Sequence, residues 1–213
     1  MKVAVIDYGM GNLRSVSKAL EHVAPTAEVV VTSDAKVLAS ADRVVFPGQG
    51  AMPDCMREVD ARNLRPAILA AASDRPFLGI CIGLQMLFES SEEGATKGLG
   101  LFPGVVRRFP GVQSQSDLSG TVRLKVPHMG WNRVQQRGTH SLWNGIEDAA
   151  RFYFVHSYYA QPAMESLTAG ETDYGICFTC AVARDNIFAV QFHPEKSQSS
   201  GLRLLANFIC WNP

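Results

Sequence analysis

Cys81 lies in Gly79-Ile80-Cys81-Ile82-Gly83, between an apolar run suited to a strand and one suited to a helix. A nucleophile elbow has this form: the reactive side chain sits on a sharp strand-to-helix turn, with small residues where chain segments close on one another. Cys81 would then stand at a helix N-terminus, where the dipole and free N–H groups favour thiolate over thiol. The N–H of Ile82 would point to the place where an oxyanion forms. A buried structural cysteine in a glycine-punctuated turn would have the same local sequence, so a second residue is required. Val190-Gln191-Phe192-His193-Pro194-Glu195 supplies one at the end of the last predicted strand. If the chain stays extended through Pro194, His193 and Glu195 project to the same side. A carboxylate beside an imidazole fixes its tautomer and stabilises its cation. A third stretch, Pro47-Gly48-Gln49-Gly50, also ends a strand. Taken alone it is a turn, but its backbone can supply a second oxyanion donor and admit a substrate closely. As a phosphate loop it fails, because no Lys-Ser/Thr follows.

All three stretches fall at strand ends, and open α/β sheets gather functional residues outside the carboxyl ends of parallel strands. Strands are predicted at Lys2–Asp7, Glu28–Thr32, Arg43–Phe46 and Pro76–Ile80. Helices are predicted over about Asn12–Val23 with Asn12 as N-cap, from Asp34, over Pro53–Ala72, and from Ile82 onward. This alternation implies a parallel sheet covered on both faces. After about Gly98 helical periodicity stops, and strand-like runs follow at Gly104–Phe109, Thr121–Val126, Arg151–Ala160, Ile176–Val182 and Ile187–Phe192. Gln113–Gly120 is polar and reads as a structureless surface loop. A last helix, about Ser199–Trp211, carries Leu202, Leu205, Ala206 and Ile209 on one face. The expected architecture is a single α/β domain over residues 1–213. Its sheet is flavodoxin-like and mixed, mainly parallel with an antiparallel extension, with helices on both faces.

Twenty Lys+Arg offset twenty Asp+Glu, so no electrostatic grip on nucleic acid or an anionic membrane is indicated. Asp7 interrupts the first apolar run too early for a signal peptide, and no run approaches the roughly 20 apolar residues of a membrane span. A cytoplasmic location is expected. The five cysteines suit a reducing compartment. Cys177 and Cys180 form a C-x-x-C, but within a strand residues three apart face opposite sides, so they are read as packing residues and not as a redox or metal pair.

The three stretches together resemble the class I (triad) glutamine amidotransferases, with nucleophile motif G-x-C-x-G and an H-P-E. The resemblance covers essentially the whole chain. Asp7–Leu13, Pro127–Asn132, Tyr153–Tyr158 and His193–Ser197 are similar to the glutaminase subunits of imidazole glycerol phosphate synthases, which serve histidine biosynthesis. The resemblance implies that Cys81 attacks the side-chain amide carbon of L-glutamine, with His193 moving protons and Glu195 orienting it. Backbone N–H groups of Gln49 and Ile82 would hold the oxyanion, and Gly48, Gly50, Gln85, Ser157 and Tyr158 would hold the glutamine. Met10, Gly11, Asn12, Trp131, Tyr153 and Lys196 would lie at the interface with a cyclase subunit of (β/α)8 barrel fold, in a heterodimer that forms imidazole glycerol phosphate and AICAR. No metal or organic cofactor is implied. Gln113–Gly120 lies outside the family pattern. Three alternatives remain at this point: the glutaminase of a synthase making anthranilate, carbamoyl phosphate or pyridoxal phosphate; a free-standing thiol hydrolase of γ-glutamyl peptides; and a binding module on the same scaffold.

Overall fold

A computed structural model of the chain describes residues 1–110, 113–117 and 120–213, with backbone alone between 113 and 124. The first half runs β1 (Lys2–Ile6), α1 (Leu13–Val23), β2 (Glu28–Thr32), α2 (Ala35–Ala39), β3 (Arg43–Gly48), α3 (Met52–Ala61), α4 (Arg65–Asp74), β4 (Phe77–Cys81) and α5 (Ile82–Gln85). Short strands then dominate: β5 (Phe88–Ser91), β6 (Thr96–Lys97), β7 (Phe102–Arg108), β8 (Gln113–Asp117), β9 (Gly120–Leu124), β10 (His128–Arg133) and β11 (Gln135–Gln136). They continue as β12 (Arg151–His156), β13 (Tyr158–Pro162), β14 (Thr168–Asp173), β15 (Cys177–Arg184) and β16 (Ile187–Val190), and α6 (Gln198–Cys210) closes the chain.

The main sheet has the order β2-β1-β3-β4-β16-β15-β13-β7-β5-β6, with β14 and β11 joined to it through β15. Its first five strands are parallel, and the extension from β16 through β15 and β13 to β7 is antiparallel. The mixed sheet expected from the sequence is therefore present. β3, β4 and β16 are buried at every residue, as central parallel strands covered on both faces require. The connections from β1 to β2 and from β2 to β3 run in opposite directions along the sheet. Right-handed crossovers accordingly put α1 on one face and α2, α3 and α4 on the other. α6 packs on α1, and α2 packs on α4. Among the described residues, no helix is long and apolar enough to cross a membrane.

Register is what positions the functional stretches. Gly48 pairs with Cys81, and Val190 pairs with Ile80. The ends of β3, β4 and β16 thus stand side by side, about 4.8 Å apart per strand. The turn after β3, Cys81, and the segment leading to His193 are brought together before any side chain is considered.

Several elements differ from the sequence expectation. The helical stretch Pro53–Ala72 is two helices, because Asn63 adopts a left-handed φ of 54° and Pro66 opens a new helix. The helix after Cys81 is four residues long, and the chain returns to the sheet as β5. Every residue from Ile82 to Phe88 is buried, so no periodicity distinguishes helix from strand there. Arg151–Ala160 is two strands divided at Ser157: β12 pairs with β10 in a separate ribbon, and β13 pairs in the main sheet. Within Gln113–Gly120, residues Gln113–Asp117 are not a loop but pair antiparallel with Gly120–Leu124; 118 and 119 lie outside the described residues. α6 buries Gly201, Leu204, Leu205, Phe208 and Ile209, a face rotated from the expected one, leaving Leu202 and Ala206 half-buried. Cys177 is exposed and Cys180 buried, on opposite faces of β15.

Close approach at the elbow depends on Gly83. A Cβ there would run into the backbone carbonyl of Phe46, which cannot swing away as a side chain could. Gly83→Ala is expected to destabilise the protein by about 1–3 kcal/mol in urea or thermal unfolding, the usual cost of overpacking. A change below about 0.5 kcal/mol, typical of an unconstrained surface site, would contradict this packing.

Candidate active site

Cys81 ends β4 with φ 57° and ψ −110°, a left-handed conformation for a non-glycine residue. Such backbone strain costs about 1–3 kcal/mol and persists only where surrounding structure enforces it. The enforcement is visible here. Gly79 and Gly83 let β16 and β3 close on the turn, and a Cβ on Gly48 would lie 2.6 Å from the Cβ of Ile82. The turn after β3 is held from beneath by two donors. Tyr8 Oη donates to the Pro47 carbonyl at 2.9 Å, and Cys55 Sγ donates to the Gln49 carbonyl at 3.5 Å. Burial pushes the pKa of both groups up, that of Cys55 to about 11, so both keep their protons.

His193 and Glu195 meet differently from the extended arrangement expected. Pro194–Lys196 forms a single 3-10 turn that folds Glu195 back under His193. His193 Nδ1 donates to Glu195 Oε1 at 2.8 Å, and the two side chains are 4% and 1% exposed. Asn12 Nδ2 donates to the same carboxylate oxygen at 3.4 Å. Asn12 does occupy the N-cap position of α1, but its side chain caps nothing and serves Glu195 instead. His193 Nε2 makes no formed hydrogen bond, and Cys81 lies near enough to act on the ring. Burial alone would lower the imidazole pKa. The charge influence of Cys81, then the hydrogen bond and charge of Glu195, outweigh it and raise it to about 10.

Cys81 and His193 open into one cavity of about 250 Å³. Of the residues singled out from the sequence, its walls contain Gln49, Gly50, Ile82, Gln85, Ser157, Tyr158 and Lys196. Gly48 lies beneath that wall, against Ile82 and Tyr8. Ser157 and Tyr158 reach the cavity because the chain breaks there between β12 and β13. The residues expected at a partner interface also gather near it. Trp131, 44% exposed, meets Tyr153 edge-on, and Lys196 Nζ lies 6.0 Å from the Tyr153 ring centroid. Met10 packs close to Gly50, and Gly11 to Gly48.

The wall also contains Glu93, Pro127, Val155 and His156, and Gln191 lies just behind it; none of these was among the candidate site residues. Gln191, fully buried, donates from Nε2 to Cys81 Sγ at 3.7 Å and accepts from Gln85 Nε2 at 3.0 Å. Its place between Val190 and His193 was the only available signal. Glu93 puts a carboxylate in the cavity wall, anchored by the Met52 amide at 2.8 Å. A thiol, an imidazole with its carboxylate, backbone amides and one separate anion can support acyl transfer on a small substrate that carries a cation. Among the described residues, no cluster of three or more His, Cys, Asp or Glu side chains could hold a metal ion.

The family model described as glutamine amidotransferase class-I matches residues 4–211, and the chain belongs to that family. Relatives narrow the comparison. The protein of Dechloromonas aromatica (strain RCB) named imidazole glycerol phosphate synthase subunit HisH is 65% identical, over 99% of this chain and 97% of that protein. The protein of the same name from Thiobacillus denitrificans (strain ATCC 25259 / T1) is 65% identical, over 99% of this chain and 92% of its own length. Among solved structures, PurLQS from Thermotoga maritima superposes with a TM-score of 0.71 at 17% identity, covering 98% of this chain and 97% of that one. A structure described as a glutamine amidotransferase gives 0.68 at 16%, over 97% and 96% of the two chains. Both likenesses concern the fold.

The raised value at His193 leads to a titration test. Since its folded pKa of about 10 exceeds the ordinary 6.5, this contribution to stability is full below about 6.5 and is lost as pH rises through about 10. In Cys81→Ala the main raising influence is gone while burial remains. The His193 midpoint, followed by imidazole NMR, should fall. An unchanged midpoint would mean that Cys81 does not act on His193.

Proposed function

We propose that this chain is the glutaminase subunit of imidazole glycerol phosphate synthase, with a role in histidine biosynthesis. The observation that carries the chemistry is the cavity that Cys81 and His193 line together, with Glu195 hydrogen-bonded to Nδ1 of the ring and Nε2 left without a partner. The relatives at 65% identity carry the pathway.

Glutamine enters with its side-chain amide toward Cys81. The thiolate attacks the amide carbon, and the carbonyl electrons move to oxygen, where the N–H groups of Ile82 and of the turn at Gln49 can receive the charge. His193, as imidazolium, gives its Nε2 proton to the departing nitrogen; the C–N bond breaks, leaving ammonia and a glutamyl thioester. Water then attacks the thioester, His193 takes its proton, and the thiolate leaves with glutamate as product. Glu195 stabilises the imidazolium in both halves. Gln85, Gly50, Ser157 and Tyr158 form the cradle for the substrate, with Gly48 supporting the turn. Glu93 pairs with its α-ammonium group.

Ammonia released to water at neutral pH is protonated and ceases to be a nucleophile, which favours direct transfer to a docked cyclase. Trp131, Tyr153, Lys196, Met10, Gly11 and Asn12 form the docking face, beside the cavity and touching the triad through Asn12 and Tyr153. Exposed Met129 and Trp131 favour this over a free-standing hydrolase, and the relatives' name favours it over another synthase. One domain spans residues 1–213, and a cytoplasmic location suits its five free cysteines.

Cys81→Ala should abolish glutamine-dependent synthesis in the complex while synthesis fed with ammonium persists. Loss of both in a folded complex would contradict a separate glutaminase site. Glu93→Gln removes a charge-assisted bond worth about 1.5–3 kcal/mol, so KM for glutamine should rise roughly 10- to 150-fold with a smaller effect on kcat. An unchanged KM would remove Glu93 from the cradle.

A further inference from the structure

Two buried histidines play no part in the chemistry above. His128 and His156 are 2% and 6% exposed, and their rings join through Nδ1 of His128 and Nε2 of His156 at 3.0 Å. His156 Nδ1 lies 2.7 Å from the Tyr158 carbonyl, which only accepts, so Nδ1 carries a proton. With His156 neutral, its Nε2 must accept, and His128 Nδ1 must donate. His128 Nε2 is left as an acceptor, and Asn132 Nδ2 faces it at 3.4 Å. One set of tautomers satisfies the whole chain. Burial supports it by lowering both imidazole pKa values, to about 4 for His128 and about 3 for His156.

The two ends of this chain matter. At one end is β10, where His128 points inward while Met129 and Trp131 on the opposite face are 62% and 44% exposed. β10 pairs with β12 in a ribbon outside the main sheet. At the other end, the Tyr158 carbonyl also accepts from Gln85 Nε2 at 3.1 Å, and Gln85 reaches Cys81 through Gln191. We propose that His128 and His156 are positioning residues that tie the docking strand β10 to the Tyr158 carbonyl in the wall of the glutamine cavity. A partner seated on Trp131 thereby sets the geometry of the cradle. The proposal rests on the glutaminase reading above.

His128 is stacked between Phe154 and Tyr174, with centroids 4.8 Å and 4.0 Å away. His128→Phe therefore keeps the stack and removes the hydrogen bonds, whereas His128→Asn keeps a donor near the Nδ1 position. Glutamine kcat and KM would be measured for the free chain and for the chain saturated with its cyclase partner, together with partner affinity and ammonium-fed synthesis. In His128→Phe, partner-stimulated kcat/KM should fall at least about tenfold, with affinity and ammonium-fed synthesis within about twofold of the parent. His128→Asn should recover most of the loss. Stimulated kcat/KM within about twofold of the parent would overturn the proposal, as would a matching loss of partner affinity. If His128→Phe does not fold, Asn132→Ala at the half-buried outer link should still lower stimulation, and full stimulation there would overturn it. A parent complex that hydrolyses no glutamine overturns both the glutaminase reading and this role.

Discussion

The parallel register of β3, β4 and β16 is the constraint on which the remaining structure depends. Backbone pairing sets Gly48 beside Cys81, and Ile80 beside Val190. Three strand ends therefore converge without any contribution from the side chains that do chemistry. Because the pairing is buried on both faces, it resists slippage: a one-residue shift would turn each strand's packed side chains to the wrong face. The strained Cys81 backbone is tolerable only on such a frame, held by glycines that allow the neighbouring segments to touch.

Around that frame the site divides its work between rigid and adjustable parts. Glu195 is held by a hydrogen bond from Asn12 next to α1, His193 by one to Tyr153 in β12, and the turn after β3 by one from Tyr8 next to β1. His193 N donates to the Tyr153 carbonyl at 2.9 Å, so the proposed base and the proposed docking residue share one backbone bond. The proposed substrate side includes Ser157 and Tyr158, at the junction between a peripheral ribbon and the main sheet. A site assembled across that junction can respond to what sits on the ribbon, while the nucleophile stays anchored to the central strands.

Much of this is legible in the sequence, for local reasons. Gly-x-Cys-x-Gly after an apolar strand, and His-Pro-Glu at the end of another, each state a geometry within a few residues. The route from His193 to Glu195 is not legible, since an extended chain and a 3-10 turn both bring positions two apart together once a proline fixes the backbone. Glu93 is hidden because the buried run before it could be helix or strand, and only the observed return to β5 brings it to the cavity. Gln191 looks like one more strand residue, and its value comes from Cys81 lying on the adjacent strand. The His128–His156 pair depends on the register of β10 with β12, which no local pattern specifies.

The central claim is that Cys81, and none of the other four cysteines, forms the bond to glutamine's side-chain carbon. The five free thiols provide an internal comparison, since Cys55 and Cys180 are buried without lining the cavity while Cys177 and Cys210 are exposed. The direct measurement is peptide mass spectrometry after exposing the complex to a glutamine analogue with an electrophilic carbon in place of the amide. The account predicts one adduct, on Cys81, whose formation glutamine suppresses. Labelling that favours exposed Cys177 or Cys210, or that glutamine does not suppress, would contradict it.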